Sequence, residues 1–306
     1  MQKNRQTRLR KNLILRSRII QTVRNFFIDR GYLEVETPSR IPAPAPEAHI
    51  NAQESGDWFL QTSPELCMKR LLASGFTHIF QICKCFRMNE RGHLHIPELT
   101  MLEWYLADAT YLELMEECEA LIRFVANSSG PGSLIQFQGN KIDLSEPWER
   151  LRVSDAFARY APLPLEQALS EDLFDEMIGL EIEPRLGLEK PVFLYDYPAK
   201  HGALARRKPG NPDIVERFEL YIGGMELCNG FTELTDPKEQ RKRFEEEIQF
   251  RKSAGKRSYP MPETFLADLK FMPDAAGNAL GLDRLVMLFA DAARIDDVLA
   301  FIPENL

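Results

Sequence analysis

Between Leu9 and Phe27 the apolar residues Leu13, Ile20, Val23 and Phe27, with Ile19 and Phe26 beside them, recur at helical spacing, and Gly31 stands where a helix-ending glycine would. This predicts a long first helix with basic residues on its other face. Leu33 and Val35 then alternate with Glu34 and Glu36 as in a half-buried strand, which Thr37-Pro38 ends because proline lacks a ladder donor. Pro42 to Pro46, with proline at every second position, is a stiff connector. In Thr62-Ser63-Pro64-Glu65, Ser63 reads as an N-cap and Pro64 as the first helical residue, so a helix runs through Met68, Leu71 and Leu72 to Gly75. Ile79 to Arg87 and Leu99 to Tyr105 read as strands on either side of a polar loop from Gly92 to Pro97, and Tyr111 to Val125 reads as a helix.

Small helices are expected from Val153 to Gly179, with no chemistry assigned to them. Phe193 to Tyr197 and Phe218 to Ile222 read as strands, the latter turning at Gly223-Gly224 into Met225 to Phe231. Asp236-Pro237-Lys238-Glu239 offers N-cap, N1 proline and N3 glutamate in order, starting a helix through Phe250. Gly277 to Gly281 is a small-residue strand feeding a helix from Arg284 to Ala293, with Asp283 as its N-cap. Strands joined by hairpins and interrupted by helices make the fold α+β, with a mainly antiparallel sheet flanked by helices.

Composition narrows the class. The chain of 306 residues carries 38 Lys and Arg against 46 Asp and Glu, a formal charge of -8, which argues against a nucleic-acid coat. No apolar run approaches the ~18 residues of a membrane span, and the arginine-rich start lacks a signal-peptide core, so a cytoplasmic protein is expected. Cys67, Cys83, Cys85, Cys118 and Cys228 contain no Cys-x-x-Cys pair and read as reduced core thiols.

Three constellations carry candidate chemistry. A two-residue turn at Gly223-Gly224 pairs Tyr221 with Glu226 and sets Glu219 diagonally across from Glu226 on one face. The two carboxylates either share a cation such as Mg²⁺ or lie on a solvated face. Asn229 and Glu233 join that face only if a bulge near Gly230 shifts the alternation. Second, Arg87 at a strand end can fork onto a phosphate, while Glu103 and Tyr105 share one face of the returning strand and suit an ammonium ligand as well as a merely polar face. His93 and His95 lack a third ligand at fixed spacing, so no metal is expected there. Third, Gly277-Asn278-Ala279-Leu280-Gly281-Leu282-Asp283-Arg284 lets a ligand approach the backbone and puts an arginine in the first turn of a helix.

Taken in order, these segments resemble the three motifs of class II aminoacyl-tRNA synthetases: the first helix, strand and Pro38; Phe86-Arg87 through Glu103; and Gly281-Leu282-Asp283-Arg284. Thr62-Ser63-Pro64-Glu65, Pro97-Glu98-Leu99-Thr100-Met101-Leu102-Glu103, Glu216-Arg217-Phe218-Glu219 and Glu226 to Leu234 look like the lysyl branch. The first motif begins within the first residues, so the expectation is a single catalytic domain over 1–306, with a small helical insertion near 150–185 and no OB-fold anticodon-binding domain. That arrangement resembles the elongation factor P (R)-β-lysine ligase family, in which the enzyme activates (R)-β-lysine with ATP and attaches it to a lysine of elongation factor P rather than to tRNA. Alternatives from the same residues are a truncated lysyl-tRNA synthetase acting on tRNA or releasing lysyl adenylate, and a non-catalytic regulatory subunit. The resemblance also implies a homodimer.

Carried over by position, the resemblance implies that Arg87 holds the α-phosphate and Arg284 the γ-phosphate, these two being the catalytic residues, and that Glu219 and Glu226 hold magnesium. Asn89, Glu90, Ile96, Glu226, Leu227 and Gly281 complete the ATP site, with either Asn89 or Glu90 reading adenine because Met88 shifts the family's spacing by one. Ile96 stands where asparagine is expected. Ser63 belongs to the substrate site, Glu65 takes the substrate's inner amino group, Glu103, Tyr105 and Glu233 surround its distal ammonium, and Asn229 helps orient substrate or metal. Ala279 replaces the glycine usual in lysyl-tRNA synthetases, and that methyl group is implied to favour the β isomer.

Overall fold

The computed structural model describes residues 5–145 and 147–306. Its frame is a nine-stranded sheet. The strands are β1 (Leu33–Glu34), β2 (His78–Phe86), β3 (Glu98–Ala107), β4 (Glu149–Arg152), β5 (Val192–Pro198), β6 (Arg207–Lys208), β7 (Asn211–Ile222), β8 (Met225–Thr232) and β9 (Ala275–Gly281). They lie in the order β1-β2-β3-β9-β8-β7-β5-β4, with β6 on β7. Only the outermost pairs, β1 with β2 and β5 with β4, are parallel, so the α+β, mainly antiparallel expectation holds. The main helices are α1 (Arg5–Ile28), α2 (Glu65–Ala73), α3 (Tyr111–Ser129), α4 (Pro237–Ser253) and α5 (Leu282–Ala290).

Side chains alternate along a strand, so each strand divides its residues between two faces. On one face α1, α3 and α5 bury Ile19, Val23, Phe27, Leu121 and Leu285 against Phe80, Leu102, Trp104 and Leu280. Phe27 stacks on Phe80 with centroids 4.9 Å apart and leans on Trp104 at 5.4 Å, pairs that add ~0.5–1.5 kcal/mol each beyond burial. The other residues of β3, Met101, Glu103 and Tyr105, therefore emerge on the opposite face. There α2, α4 and the helix Glu263–Leu269 make a second apolar cluster around Leu66, Phe244 and Phe265, and the sheet between is left as the floor of a cavity.

The turn chemistry works locally. Gly223 and Gly224 have φ of 65° and 72°, values open to glycine at little cost, and pair Tyr221 with Glu226 as the spacing requires. Ser63 Oγ accepts the Glu65 N–H at 3.0 Å, although the helix starts one residue later than expected, at Glu65. Asp236 accepts from the Lys238 and Glu239 N–H groups at 2.8 and 3.4 Å.

Other expectations are corrected. β1 is exposed rather than half-buried, with Leu33 and Glu34 both open to solvent. Asp283 is not an N-cap: the helix begins at Leu282, and the Asp283 carboxylate is buried inside, where it pairs with Arg16 of α1 at 2.6 Å and accepts the Thr100 N–H at 2.7 Å. α5 stops at Ala290 because Asp291 adopts the left-handed conformation, φ 47°. No described helix is long and apolar enough to cross a membrane.

Candidate active site

A single irregularity assembles the cavity floor. β8 carries its bulge at Leu227, between the pairs Tyr221/Glu226 and Leu220/Cys228, and not near Gly230. The extra residue shifts the alternation so that Glu226, Asn229 and Phe231 all face the same side as Arg217, Glu219 and Tyr221. Gly230 is needed for another reason: a Cβ there would lie 2.6 Å from the Phe218 ring and 3.1 Å from Asn278. Register across the sheet then aligns one row of residues, Gln81, Glu103, Ala279, Asn229 and Glu219, on five successive strands.

At one end of this row the Glu103 carboxylate accepts hydrogen bonds from Tyr105 Oη at 2.6 Å and Ser63 Oγ at 2.7 Å. Loss of water, then the neighbouring Glu65, pushes its carboxyl up to about 8. Lys69, on α2, is fully enclosed and paired with both Glu65 and Glu233. Burial by itself lowers its pKa, but Glu233 and Glu65 more than offset that and hold it charged. Gly277 makes room for the group, since a Cβ there would sit 2.2 Å from the Tyr105 ring and 2.6 Å from Glu233 Oε1. The result is a recess rich in carboxyl groups whose walls are locked by hydrogen bonds.

At the other end Arg217 donates to Asn229 Oδ1 at 2.9 Å and pairs with Glu219, while Tyr197 and Tyr221 both donate to Glu219 Oε2 at 2.6 Å. Burial raises the Glu219 carboxyl; Arg217 opposes that and Glu226 adds to it. Arg284 holds Glu226 at 3.1 Å and donates to the His95 ring nitrogen at 2.8 Å. Burial and then Arg284 lower the His95 pKa, so the ring is a neutral acceptor. Arg87 is different: its Nε is buried without a partner, and its nearest carboxylate, Glu90, stands 3.8 Å away. A guanidinium whose buried Nε is free and whose one ion pair is long has bonding capacity left for an anion. Acidic recess and arginines share one cavity of about 490 Å³, large enough for a nucleotide and an amino acid.

The family model described as tRNA synthetases class II (D, K and N) matches residues 1–305. The chain belongs to that family. This class II synthetase chain is 39% identical over 306 residues to an elongation factor P (R)-beta-lysine ligase of Edwardsiella ictaluri, covering 95% of this chain and 94% of the relative. The ligase of that name from Proteus mirabilis is 40% identical over the same shares. A lysine–tRNA ligase of Magnetococcus marinus is 37% identical over 323 residues, with 96% of this chain matched to 64% of that protein.

Of the residues expected at the site of this synthetase chain, Ser63, Glu65, Arg87, Glu90, Ile96, Glu103 and Tyr105 line the cavity, as do Glu219, Glu226, Leu227, Asn229, Ala279, Gly281 and Arg284. Two do not. Asn89 is exposed with φ 68° and turns away, leaving Glu90 at the wall. Glu233 lies beneath the wall, linked through Lys69 to Glu65, which lines it. Sequence reasoning passed over Lys69, which looks like any polar residue of an amphipathic helix, and assigned no chemistry to the segment holding Asp175, which lines the cavity beside His201. Among the described residues no group of three or more His, Cys, Asp or Glu side chains could hold a metal alone. Glu219 and Glu226 fit magnesium in the other way, as two hard oxygen donors whose mutual repulsion a cation carried by phosphates would relieve.

Proposed function

We propose that this chain uses ATP to activate a lysine, (R)-β-lysine in particular, as its adenylate and passes the acyl group to a lysine side chain of elongation factor P. The observation that carries the reading is the row from Glu103 to Glu219, with an acidic recess at one end, Arg87 with its free Nε beside it and Ala279 in the middle. The two ligase relatives, matched over nearly their whole length, support elongation factor P as acceptor.

In this mechanism Glu103 and Tyr105 take the substrate's distal ammonium, and Lys69 fixes Glu65 and Glu233 around it. Glu65 meets the inner amino group, and Asn229, oriented by Arg217, aligns the carboxylate. That carboxylate is already ionised at neutral pH and needs no base to attack the α-phosphorus. Arg87 stabilises charge that builds there, and Arg284 meets the departing pyrophosphate. Glu90 borders the cavity where adenine would be read. Magnesium bound by Glu219 and Glu226 would neutralise phosphate charge. The exposed Ile14, Ile28 and Leu33 on and after α1 suit a two-fold contact, which supports a homodimer; elongation factor P as acceptor implies a cytoplasmic enzyme.

The test is the intact mass of elongation factor P after incubation with the protein, ATP and each lysine isomer. A gain of one lysyl mass, larger with the β isomer, is expected. Acylation of tRNA with no change in the factor would overturn the reading in favour of the lysine–tRNA ligase relatives. Because Ala279 sits on the floor between Glu103 and Asn229, Ala279→Gly should shift the ratio of activation rates toward α-lysine by about 1–3 kcal/mol. An unmoved ratio in pyrophosphate exchange would make Ala279 a structural residue.

A further inference from the structure

Activation needs no base, but transfer does. The acceptor lysine is an ammonium near neutral pH, with an ordinary pKa of about 10.4, and cannot attack until it loses a proton. None of the groups given roles above is free to take it.

One carboxylate on the cavity wall has no such commitment. Glu47 lines the cavity, and its side chain makes no hydrogen bond or ion pair among the described residues. It follows the Pro42 to Pro46 stretch, in a segment with no helix or strand to hold it. The backbone is held instead by α4. Arg251, fully buried, donates Nη1 to the Glu47 carbonyl at 2.7 Å and the Ile50 carbonyl at 2.9 Å, and Nη2 to Asn51 Oδ1 at 3.0 Å. Its remaining donors go to the Arg257 carbonyl at 2.8 Å and Tyr259 Oη at 2.9 Å. Lys256 adds a bond to the Ala48 carbonyl at 2.8 Å. A buried arginine costs several kcal/mol of lost hydration, and here every donor is committed to holding the loop and its anchor. The clamped loop lines the cavity with Glu47, Ala48, His49 and Ile50, and Glu47 is its one carboxylate.

We propose that Glu47 is the proton acceptor for the incoming amine in the transfer step, with Arg251 as its positioning residue. This rests on the proposed acylation of a lysine side chain. The ammonium gives one proton to the Glu47 carboxylate. The freed nitrogen attacks the carbonyl carbon of the adenylate; the carbon–oxygen bond of the anhydride breaks, its electron pair stays on the phosphate of AMP, and that phosphate takes the second proton from nitrogen. The charges facing Glu47 are Glu65 from α2, Arg87 after β2, Arg217 on β7 and Glu247 on α4, with His49 and Glu247 flanking its loop. Loss of water, then Glu65, pushes the Glu47 carboxyl up to about 7, which makes it a stronger base than an ordinary glutamate while a large share of it stays ionised near neutral pH.

Single-turnover transfer from preformed adenylate tests this. With Glu47→Gln, transfer to the lysine acceptor should fall by about 10²-fold or more, and recover as the pH climbs toward the acceptor's own pKa. Hydroxylamine, a neutral nucleophile near pH 7, should trap the adenylate at about the parent rate in the same variant. Equal loss with both nucleophiles, or in pyrophosphate exchange, would show that Glu47 serves activation or substrate binding and would overturn the proposal. So would transfer at the parent rate across the pH range. If the parent itself traps hydroxylamine but acylates no lysine acceptor, the acceptor reading fails and this inference falls with it.

Discussion

Replacing Arg87 by alanine should lower pyrophosphate exchange by a factor of about 10³, equivalent to ~4 kcal/mol of barrier, with the folded state left intact. The size follows from what Arg87 lacks. Its buried Nε has no partner, and its one ion-pair contact among the described residues, Glu90, is 3.8 Å distant, so in the proposed mechanism its bonding capacity is left for the phosphate rather than spent on the fold. The backbone survives the change, since the Arg87 N–H still reaches the Pro97 carbonyl at 2.8 Å. Exchange within about tenfold of the parent, ~1.4 kcal/mol, with an unchanged unfolding midpoint, would remove Arg87 from the chemistry.

Lys69→Met should do the reverse and strike the fold before the chemistry. Lys69 and Glu233 are fully enclosed, and removing one member of a buried ion pair strands the other at a cost of about 3–5 kcal/mol. Here two carboxylates, Glu65 and Glu233, lose their shared cation. The sign with pH follows from linkage. Burial already raises the Glu233 carboxyl above its ordinary value even with Lys69 present, and without the cation it rises further. The native variant then binds more protons than the unfolded chain, so stability falls as pH rises. Denaturant titrations should find a deficit that widens as pH rises through about 8, where the parent's Glu233 ionises and the variant's does not. A deficit under ~1 kcal/mol at pH 8 would mean that water or rearrangement solvates the carboxylates.

These residues also mark what a sequence discloses. The hairpin at Gly223-Gly224, the Ser63 and Asp236 caps and the split of β3 between Trp104 and Glu103 are legible because each depends on neighbours within a few positions. Arg87, Glu103 and Arg284 are legible by resemblance. The bulge at Leu227 is not, because nothing about a leucine signals an extra residue, and glycine at 230 points to the wrong place. Asp283 has the composition of a cap, but its partners Arg16 and Thr100 lie 267 and 183 positions away, and only the packed tertiary structure joins them. Lys69 and Arg251 illustrate the same limit: on a helix a basic residue reads as solvated surface, and its burial is decided by carboxylates or carbonyls from distant segments.

The row of residues beneath the cavity has one more consequence. Neighbouring strands lie ~4.8 Å apart, so Glu103, Ala279, Asn229 and Glu219 stand on marks of a ruler, and Glu103 and Glu219 are about 14 Å apart at their backbones by that spacing. The graduations are set by main-chain hydrogen bonds that no side-chain substitution can move. A ligand of different length is accommodated only by changing what stands on a mark, and the proposed role of Ala279 is of this kind: one methyl group on one mark, set against isomers that differ in where their amino group lies.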